Sequence, residues 1–268
     1  MTGNLSAAAL WPRPPELPRP VFSDQRWLDA VFLHWRIPEA LAAKFMPTGV
    51  QPDVFDGSSW VGLIGFRMVQ AGLGHGPGIA YLGSFNEVNV RLYSREPDGT
   101  RGVVFLSLDA NRLPVVIATR AVGIPYVWSR IRQWPPFLDG HDGRQRGNHR
   151  RSAAGTRGLP VGYSVHRFGA NAARSHFGVV PRLDTAATDP LSIFLTARFG
   201  MHGRLDGRTI YVPNTHQEWP LFSADVHRLS DRLVQAAGIS VSGPPESVLY
   251  SPGVRTRFGR PRLLGTGG

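Results

Sequence analysis

The sequence predicts an α+β fold whose core is a strand-rich, barrel-like structure. Residues 58–69 are apolar at both odd and even positions, which is typical of a strand buried on both faces. Gly62 and Gly65 within this stretch favour tight curvature or a close approach of another backbone, as a closed sheet requires. Few helices are indicated, and their order among the strands is too irregular for a doubly wound sheet.

The first ordered strand is expected soon after Phe22. Residues 1–21 contain five prolines between positions 12 and 20, and this composition predicts a flexible, extended tail. Residues 27–36 are rich in aromatic and branched side chains and predict a strand, and Pro38 then begins a short helix that ends at Phe45. Residues 22–259 are expected to form one domain, followed by a flexible C-terminal tail at 260–268.

Two strands after the buried one each have a polar face. Alternation in residues 83–96 separates Val88, Val90 and Leu92 from a face that carries Phe85, Glu87, Asn89, Arg91 and Tyr93. The same alternation in residues 102–111 separates Leu106 and Leu108 from Phe105, Ser107 and Asp109. Such a face either meets solvent or lines a wet cavity, and the periodicity is equally compatible with both.

The remaining elements are predicted from caps and apolar spacing. Asp189 and Pro190 begin a helix that ends before Gly200. Ser223 is expected to cap a second helix, closed by Gly238, with one apolar stripe of Val226, Leu229 and Leu233. Strands are expected at residues 162–168, 208–212 and 247–258.

The net charge of +11 is carried almost wholly by arginine, since Lys44 is the only lysine. Residues 139–158 concentrate this charge and are predicted to form a solvated basic insertion loop, with Arg144, Arg146, Arg150, Arg151 and Arg157. A contact between this loop and an acidic partner is the alternative interpretation. Nucleic acid is not an expected partner, because no recognition helix or RNA-binding motif accompanies the loop.

Several kinds of chemistry are excluded by composition. The chain has no cysteine, so disulfides, thiolate nucleophiles and cysteine zinc sites are ruled out. No phosphate loop, GxGxxG turn or nucleophile elbow is present, and no histidine pair has metal-ligand spacing, so neither a metal nor a cofactor is expected. No apolar stretch reaches the roughly 20 residues of a membrane span, so the expected location is the cytoplasm.

Short motifs distributed from about residue 27 to residue 258 together resemble the YqjF-like family, a bacterial domain of unknown function. They are His34-Trp35, Trp60-Val61-Gly62, Asn86-Glu87-Val88-Asn89-Val90-Arg91, Ser107-Leu108-Asp109, Pro125-Tyr126, His216 and Trp219-Pro220-Leu221. That family is in turn similar to the acetoacetate decarboxylase fold. The resemblance implies a cone-shaped β-barrel with a central cavity and a few peripheral helices.

The resemblance also implies which glutamate occupies the cavity and which nucleophile is missing. Residues 85–88 resemble the decarboxylase segment that places a glutamate in the pocket, which here is Glu87. The decarboxylase lysines follow a Gly-Phe-Pro turn, whereas this chain has Tyr126 and Val127 after Gly-Ile-Pro. A Schiff base needs a primary amine, and Lys44 is predicted to be solvated on the short helix after Pro38. Decarboxylation through a lysine imine is therefore not expected.

The candidate catalytic residues are Glu87 and Asp109, and the candidate ligand-binding residues are Arg91, Asn89, His34, Tyr126 and His216. In a cavity, burial would raise the pKa of Glu87 toward the range of a general acid or base, and Arg91 could hold a carboxylate. The alternative is that these groups only satisfy one another inside the barrel. His34 fits either the core or the cavity, and His216 fits either a packed corner or a base.

The functional prediction is a small-molecule-binding barrel cavity, suited to acid–base chemistry on a small carboxylate or keto compound. The second hypothesis is a non-enzymatic interaction protein that uses the Arg-rich loop to bind an acidic partner. The sequence predicts no membrane partner, and it names neither the ligand nor the oligomeric state.

Overall fold

The computed structural model describes residues 12–17, 19–73, 83–120, 124–135, 157–169 and 172–264. The helices in these ranges are short: α1 (Glu39–Ala43), α2 (Leu113–Arg120), α3 (Pro190–Thr196) and α4 (Leu233–Ala236). The strands form one sheet and are β1 (Ser23–Ile37), β2 (Gln51–Pro52), β3 (Ser59–Leu73), β4 (Phe85–Arg95), β5 (Arg101–Ala110), β6 (Tyr126–Trp134), β7 (Val161–Arg167), β8 (Arg174–Ala186), β9 (Gly200–Leu205), β10 (Arg208–His216), β11 (Phe222–Asp231), β12 (Ser247–Phe258) and β13 (Arg262–Leu263).

The sheet closes on itself twice, because two strands each pair with two partners on one edge. One edge of β5 pairs with β4, and its other edge pairs in parallel with both β9 and β6. One edge of β12 pairs with β1, and its other edge pairs with both β11 and β10. The larger circuit runs β5-β6-β7-β8-β11-β12-β1-β3-β4, and the smaller runs β5-β9-β10-β12-β1-β3-β4. Strands β12, β1, β3, β4 and β5 form a wall that both circuits share.

The strands of the shared wall are buried on both sides because each side of the wall faces one of the two circuits. Val88 and Val90 of β4 pack in one core cluster with Tyr163 and Phe177, which belong to β7 and β8 of the larger circuit. Phe85 lies on the opposite side of β4 and packs in a cluster with Trp219. The side of β4 that carries Glu87, Asn89 and Arg91 is here called the Glu87 face, and the side of Val88 and Val90 the Val90 face. The predicted alternation along β4 is confirmed.

Gly65 permits the close packing that the sequence predicts for β3. A Cβ atom at this position would lie 2.5 Å from Cδ2 of Tyr163 and 2.9 Å from Cζ of Phe177. Two large aromatic side chains of the larger circuit therefore rest directly on the β3 backbone. No residue with a side chain fits there unless these rings move.

Several other predicted elements are confirmed. Strands occur at the predicted positions in β1, β7, β10 and β12, and α1 begins directly after Pro38. Asp189 caps α3, since its side chain accepts a hydrogen bond of 2.9 Å from the backbone nitrogen of Ser192. Helix α3 then contributes Phe194 and Leu195 to the core that covers the Glu87 face.

The predicted helix that begins at Ser223 is wrong. Residues 222–231 form β11, which pairs with β8 and β12, and only Leu233–Ala236 is helical. The cause is a register shift between Val226 and Arg228, which inserts one extra residue into β11. Val226 and Leu229 therefore share a side of the strand although they are three residues apart, and this spacing imitates a helix.

The C-terminal boundary also differs from the prediction. Arg262 and Leu263 form β13 and pair with β10, and the backbone nitrogen of Leu264 donates to Thr209 at 2.9 Å. The expected tail thus does not begin at residue 260. Residues 1–11 and 265–268 lie outside the described residues, while 12–17 form no helix or strand. Within the described ranges, the helices are all too short or too polar to cross a bilayer.

Candidate functional site

Glu87 is buried in the middle of the shared wall and is held by two donors. The hydroxyl of Tyr126 donates to Oε2 at 2.7 Å, and Nδ2 of Asn89 donates to Oε1 at 3.3 Å. Burial raises the pKa of Glu87 to about 7, although both hydrogen bonds act to lower it. The carboxyl group therefore exchanges its proton near neutral pH.

Tyr126 reaches Glu87 because β6 begins beside the end of β5. The parallel pairing places Tyr126 opposite Leu108, and Leu108 lies opposite Asn89 of β4. Burial and the nearby Glu87 raise the pKa of Tyr126 well above its ordinary value, so the phenol stays protonated as a donor. Tyr126 thus occupies the position at which the resemblance predicts the missing lysine. The single lysine, Lys44, is exposed at the end of α1, as the sequence predicts.

Arg91 lies on the same face and has no carboxylate partner among the described residues. The half-buried guanidinium donates from Nη2 to the carbonyl oxygen of Leu195 at 3.2 Å and from Nε to the hydroxyl of Tyr93 at 3.3 Å. It also lies 5.9 Å from the ring centre of Phe32. These contacts fix the position of Arg91 and leave its charge uncompensated within the described chain.

His34 is the neighbour of Arg91 in the sheet, since both pair with Gly62 from opposite sides. Its ring is fully buried and has a polar contact with the backbone of Ser247, but neither ring nitrogen makes a hydrogen bond of normal geometry with a described residue. Burial and the charge of Arg91 lower the pKa of His34 well below its ordinary value, so the ring is neutral. Oδ1 of Asn89 likewise has no partner in the described ranges. Buried polar atoms on this face thus lack a hydrogen-bond partner of normal geometry among the described residues.

The glycine between His34 and Arg91 is a spatial requirement of the site. A Cβ atom on Gly62 would lie 2.7 Å from Cδ1 of Ile64, 3.0 Å from Cδ2 of His34 and 3.1 Å from the hydroxyl of Tyr93. The imidazole and the phenol thus occupy the space above β3 that a side chain would fill. This placement brings His34 beside Arg91 on the Glu87 face.

His216 lies at a packed corner beyond this group. Its Nδ1 is 2.7 Å from the carbonyl oxygen of Gln217, and its Nε2 is 3.3 Å from that of Arg198. Its ring also packs edge-on against Trp219 with ring centres 5.5 Å apart. Burial and the charge of Arg91 lower the pKa of His216. Both ring nitrogens are thus directed at backbone carbonyl groups.

Asp109 does not join Glu87, which corrects the predicted alternation of β5. A bulge opposite Val90 and Arg91 shifts the register, so Asp109 lies opposite Val88 and points to the Val90 face. There Arg167 binds it in a bidentate manner, with Nε and Nη2 each 2.8 Å from a carboxylate oxygen. The hydroxyl of Ser129 also donates to it at 2.6 Å. The surroundings of Asp109 are those of a buried structural ion pair.

Arg198 supports the site and was not found by sequence reasoning. Its buried guanidinium pairs with Asp53 and donates from Nε to the carbonyl oxygen of Phe194 at 2.7 Å. Burial lowers its pKa to about 10. This contact fixes the end of α3, whose Leu195 carbonyl group positions Arg91. An arginine directly after an apolar helix is the one available signal, since Asp53 is distant in sequence.

Two cavities lie near the group without reaching Glu87. One of about 370 Å³ is lined by Ile193, Glu218, Trp219 and Leu221 among others, and the Trp219 ring separates it from Phe32, 5.3 Å away. A smaller one of about 180 Å³ lies beside β5, in the gap between β6 and β9. Among the residues that the structure describes, no three His, Asp or Glu side chains are grouped for a metal ion.

The structure describes only the end of the Arg-rich segment on which the second hypothesis depends. Arg144, Arg146, Arg150 and Arg151 lie outside the described residues. Arg157 is described, and its guanidinium forms an ion pair with Asp225 at 3.5 Å on the surface.

Solved structures of low sequence identity share this fold. An acetoacetate decarboxylase-like enzyme from Sphingomonas wittichii RW1 aligns over 98% of both chains with a TM-score of 0.61 and 14% identity. The enduracididine biosynthesis enzyme MppR complexed with pyruvate aligns over 93% of this chain and 92% of its own, with a TM-score of 0.59 and 15% identity. The protein is thus of the acetoacetate decarboxylase-like fold class, which confirms the predicted fold.

The chain belongs to the DUF2071 family of uncharacterized conserved proteins, whose profile matches residues 24–255. The uncharacterized protein YqjF of Bacillus subtilis is 24% identical over 226 residues, which is 83% of each chain. The resemblance inferred from the motifs is therefore confirmed.

Proposed function

We propose that this protein binds a small carboxylate or keto compound on the Glu87 face and that Glu87 transfers a proton to or from it. One observation carries the proposal. A buried carboxyl group with a pKa of about 7 shares a strand face with an arginine that has no carboxylate partner in the described part of the chain. The carboxyl group is suited to general acid–base catalysis, and the arginine is suited to binding an anion.

The arrangement of the two groups supports a ligand between them. Glu87 and Arg91 are four residues apart on one strand, so their Cα atoms are roughly 13 Å apart and the two charges are not direct partners. Asn89 lies between them with an Oδ1 that has no partner in the described part of the chain, and the neutral His34 lies beside Arg91. A ligand carboxylate at Arg91 would direct the rest of a small molecule toward Asn89 and Glu87.

The proposed chemistry avoids an imine. Tyr126 fills the position of the lysine and stays protonated, so it offers a hydrogen bond and no nucleophilic amine. Glu87 can then act as a general acid or base on a carbon or oxygen next to a carbonyl group. The structural neighbour solved with pyruvate supports 2-oxo acids as the first ligands to test.

Thermal shifts with pyruvate and a panel of small carboxylates test the binding step. Arg91→Gln is expected to abolish the shift, whereas Arg257→Gln, an exposed arginine on β12, should preserve it. Glu87→Gln should preserve binding but abolish deuterium exchange at the carbon beside the keto group, followed by NMR. Exposed Glu39 on α1 provides the matched control, Glu39→Gln. Equal shifts and equal exchange in all four variants would disprove the proposal.

Borohydride treatment with 2-oxo or 3-oxo acids tests the absence of an imine. No covalent adduct is expected, because the lone amine side chain, Lys44, is exposed on α1. A stable adduct on Lys44 that requires the substrate would overturn this part of the proposal.

A further inference from the structure

The outer surface of the larger circuit carries exposed arginines on β6, β8 and β11. Pairing places Arg130 of β6 beside His166 of β7 and Arg174 of β8. The next row begins with Arg132. The side chains between them, such as Ile131 and Val165, point into the core, so the arginines point outward and are exposed. We call the outward-facing residues of β6, β7, β8 and β11, together with Phe168 directly after β7, the basic platform.

Aromatic rings lie at both ends of the β6 part of the platform. Trp128 and Phe168 lie against each other with ring centres 4.3 Å apart, yet they are 41% and 45% exposed. Trp134 lies six residues further along β6, roughly 20 Å away. The two rings in contact form an exposed apolar patch at which a partner can pack.

Two glycines, Gly162 and Gly178, allow the indole of Trp134 to lie flat on the outer side of the sheet. A Cβ atom on Gly162 would lie 2.3 Å from Cζ2 of Trp134, and one on Gly178 would lie 2.4 Å from its Cη2. The indole thus lies directly on the backbone of β7 and β8. The imidazole of His176 lies next to it, with ring centres 5.2 Å apart.

The positive charge of the platform is not neutralised by the described residues around it. Arg130, Arg132, Arg174 and Arg228 form no ion pair within the described ranges, and β6 and β7 contain no Asp or Glu. Asp184 of β8 lies ten residues along the strand from Arg174, and the two aspartates of β11 are engaged elsewhere. Asp225 pairs with Arg182, and Asp231 accepts hydrogen bonds from the first backbone nitrogens of α4.

We propose that the basic platform binds single-stranded nucleic acid, with bases stacked on Trp128 and Phe168 and phosphates held by the interleaved arginines. Exposed aromatic rings combined with arginine in open rows are what unpaired bases and a phosphate backbone require. A second copy of this chain fits less well, since a two-fold contact would bring the same arginines face to face. An acidic peptide would use the arginines but would not need the exposed ring pair.

The absence of a linear motif in the sequence does not argue against this surface. Its residues come from four strands that span positions 128 to 228, and the cross-strand pairing brings them together. The platform lies outside the larger circuit, whereas Glu87 lies on the shared wall. The inference is thus independent of the proposed ligand site.

Fluorescence anisotropy of the full chain with labelled oligouridylate and oligothymidylate of about 12 nucleotides, within the site sizes of single-strand binders, tests the platform. Trp128→Ala and Phe168→Ala each are expected to weaken binding at least fivefold while the net charge is unchanged. Trp128→Phe should restore most of the affinity. A duplex of the same length should bind more weakly, because its bases are not free to stack.

Charge variants distinguish phosphate binding by the platform from general attraction between the positively charged protein and the oligonucleotide. Arg130→Ala with Arg174→Ala is expected to reduce the slope of log affinity against log salt by about 1.4, whereas Arg208→Ala with Arg257→Ala, two exposed arginines elsewhere, should leave it unchanged. Replacement of Arg144, Arg146, Arg150 and Arg151 by alanine should preserve the effect of Trp128→Ala. Circular dichroism and melting curves confirm folding of each variant.

Three results would overturn the proposal. One is no binding at about 100 μM protein and low salt, where even non-specific contacts are detectable. Another is binding that both aromatic variants leave unchanged. The third is a polyglutamate peptide that competes as well as the oligonucleotide, which would assign the surface to an acidic protein.

Discussion

Tyr126 of β6 donates a hydrogen bond of 2.7 Å to Glu87 of β4, and both side chains are buried. The phenol keeps its proton because burial raises its pKa, so it always offers a donor. The carboxyl group changes its charge near neutral pH because burial raises its pKa to about 7. The state of this pair therefore responds to pH in a range where most exposed carboxylates are fully ionised.

Glu87→Gln is expected to make the free energy of unfolding less dependent on pH between 5 and 8. The folded protein holds a proton on Glu87 up to about pH 7, whereas the unfolded chain releases it near the ordinary value of 4.5. The stabilisation present below pH 4.5 is thus lost as the pH rises through 7, and amounts to about 3 kcal/mol. Urea denaturation at several pH values measures it for both proteins.

Both proteins contain the other titrating groups, among them the buried His34. Their contributions to the pH dependence therefore cancel when the variant is compared with the parent. Glu39→Gln on exposed α1 serves as the control and should follow the parent at every pH. If Glu87→Gln also ran parallel to the parent, Glu87 would have an ordinary pKa.

Tyr126→Phe is expected to raise the pKa of Glu87 further, because the hydrogen bond from Tyr126 favours the ionised carboxylate. The titration can be followed in the carboxyl infrared band that Glu87→Gln lacks. Loss of the hydrogen bond from Tyr126 should also destabilise the protein by about 1–3 kcal/mol at pH 8, where Glu87 is ionised, and by less at pH 5.

Tyr211→Phe is the matched control for that experiment. Its hydroxyl is also buried and donates to the carbonyl oxygen of Phe199 at 2.9 Å, with no contact to Glu87. It should reduce stability without moving the Glu87 titration. An unmoved midpoint in Tyr126→Phe would show that burial alone sets the pKa.

The sequence predicted the two-sided strand β3, the alternation of β4 and the capped helix α3, because each depends on local spacing. It did not predict which side Asp109 occupies, since a bulge opposite Val90 and Arg91 inverts the parity of β5. It also missed β6, whose inward residues include Ser129 and Gln133 in place of an apolar row. Features that depend on one extra residue in a strand leave no periodic signal.

The residues of the candidate site could likewise be predicted only in part from local spacing. Glu87, Asn89 and Arg91 follow from one strand, and Tyr126 follows from the resemblance. The pairing of Arg198 with Asp53 joins residues 145 positions apart, and no local pattern indicates it. Only the folded sheet brings the two partners of such an ion pair together, so the sequence does not indicate it.

Asp109→Asn is expected to destabilise the protein by about 3–5 kcal/mol, because it leaves Arg167 largely buried without a counter-ion. Asp225→Asn, which breaks an exposed pair with Arg182, should have a much smaller effect. Urea denaturation at pH 7 measures both. Adding Arg167→Met to Asp109→Asn should recover much of the loss, since the unpaired charge is removed. A small effect of Asp109→Asn on its own would contradict the structural role.

Gly65→Ala tests whether the larger circuit rests on the β3 backbone. The added methyl group would lie 2.5 Å from Tyr163, whose hydroxyl is fixed to the backbone oxygen of Asp29 at 2.9 Å, so the ring cannot withdraw freely. A loss of about 1–3 kcal/mol is expected from this overpacking. Gly203→Ala is the control in β9, since its nearest neighbour would be the Ile210 side chain at 3.8 Å.

A second substitution distinguishes a steric clash from a general intolerance of alanine in β3. Phe177 would lie 2.9 Å from the same methyl group, so Phe177→Leu should cost less in the Gly65→Ala background than in the parent. Because a smaller side chain at this position relieves only its own packing conflict, a strictly additive double variant would show that contact with Phe177 does not contribute to the requirement for glycine at Gly65.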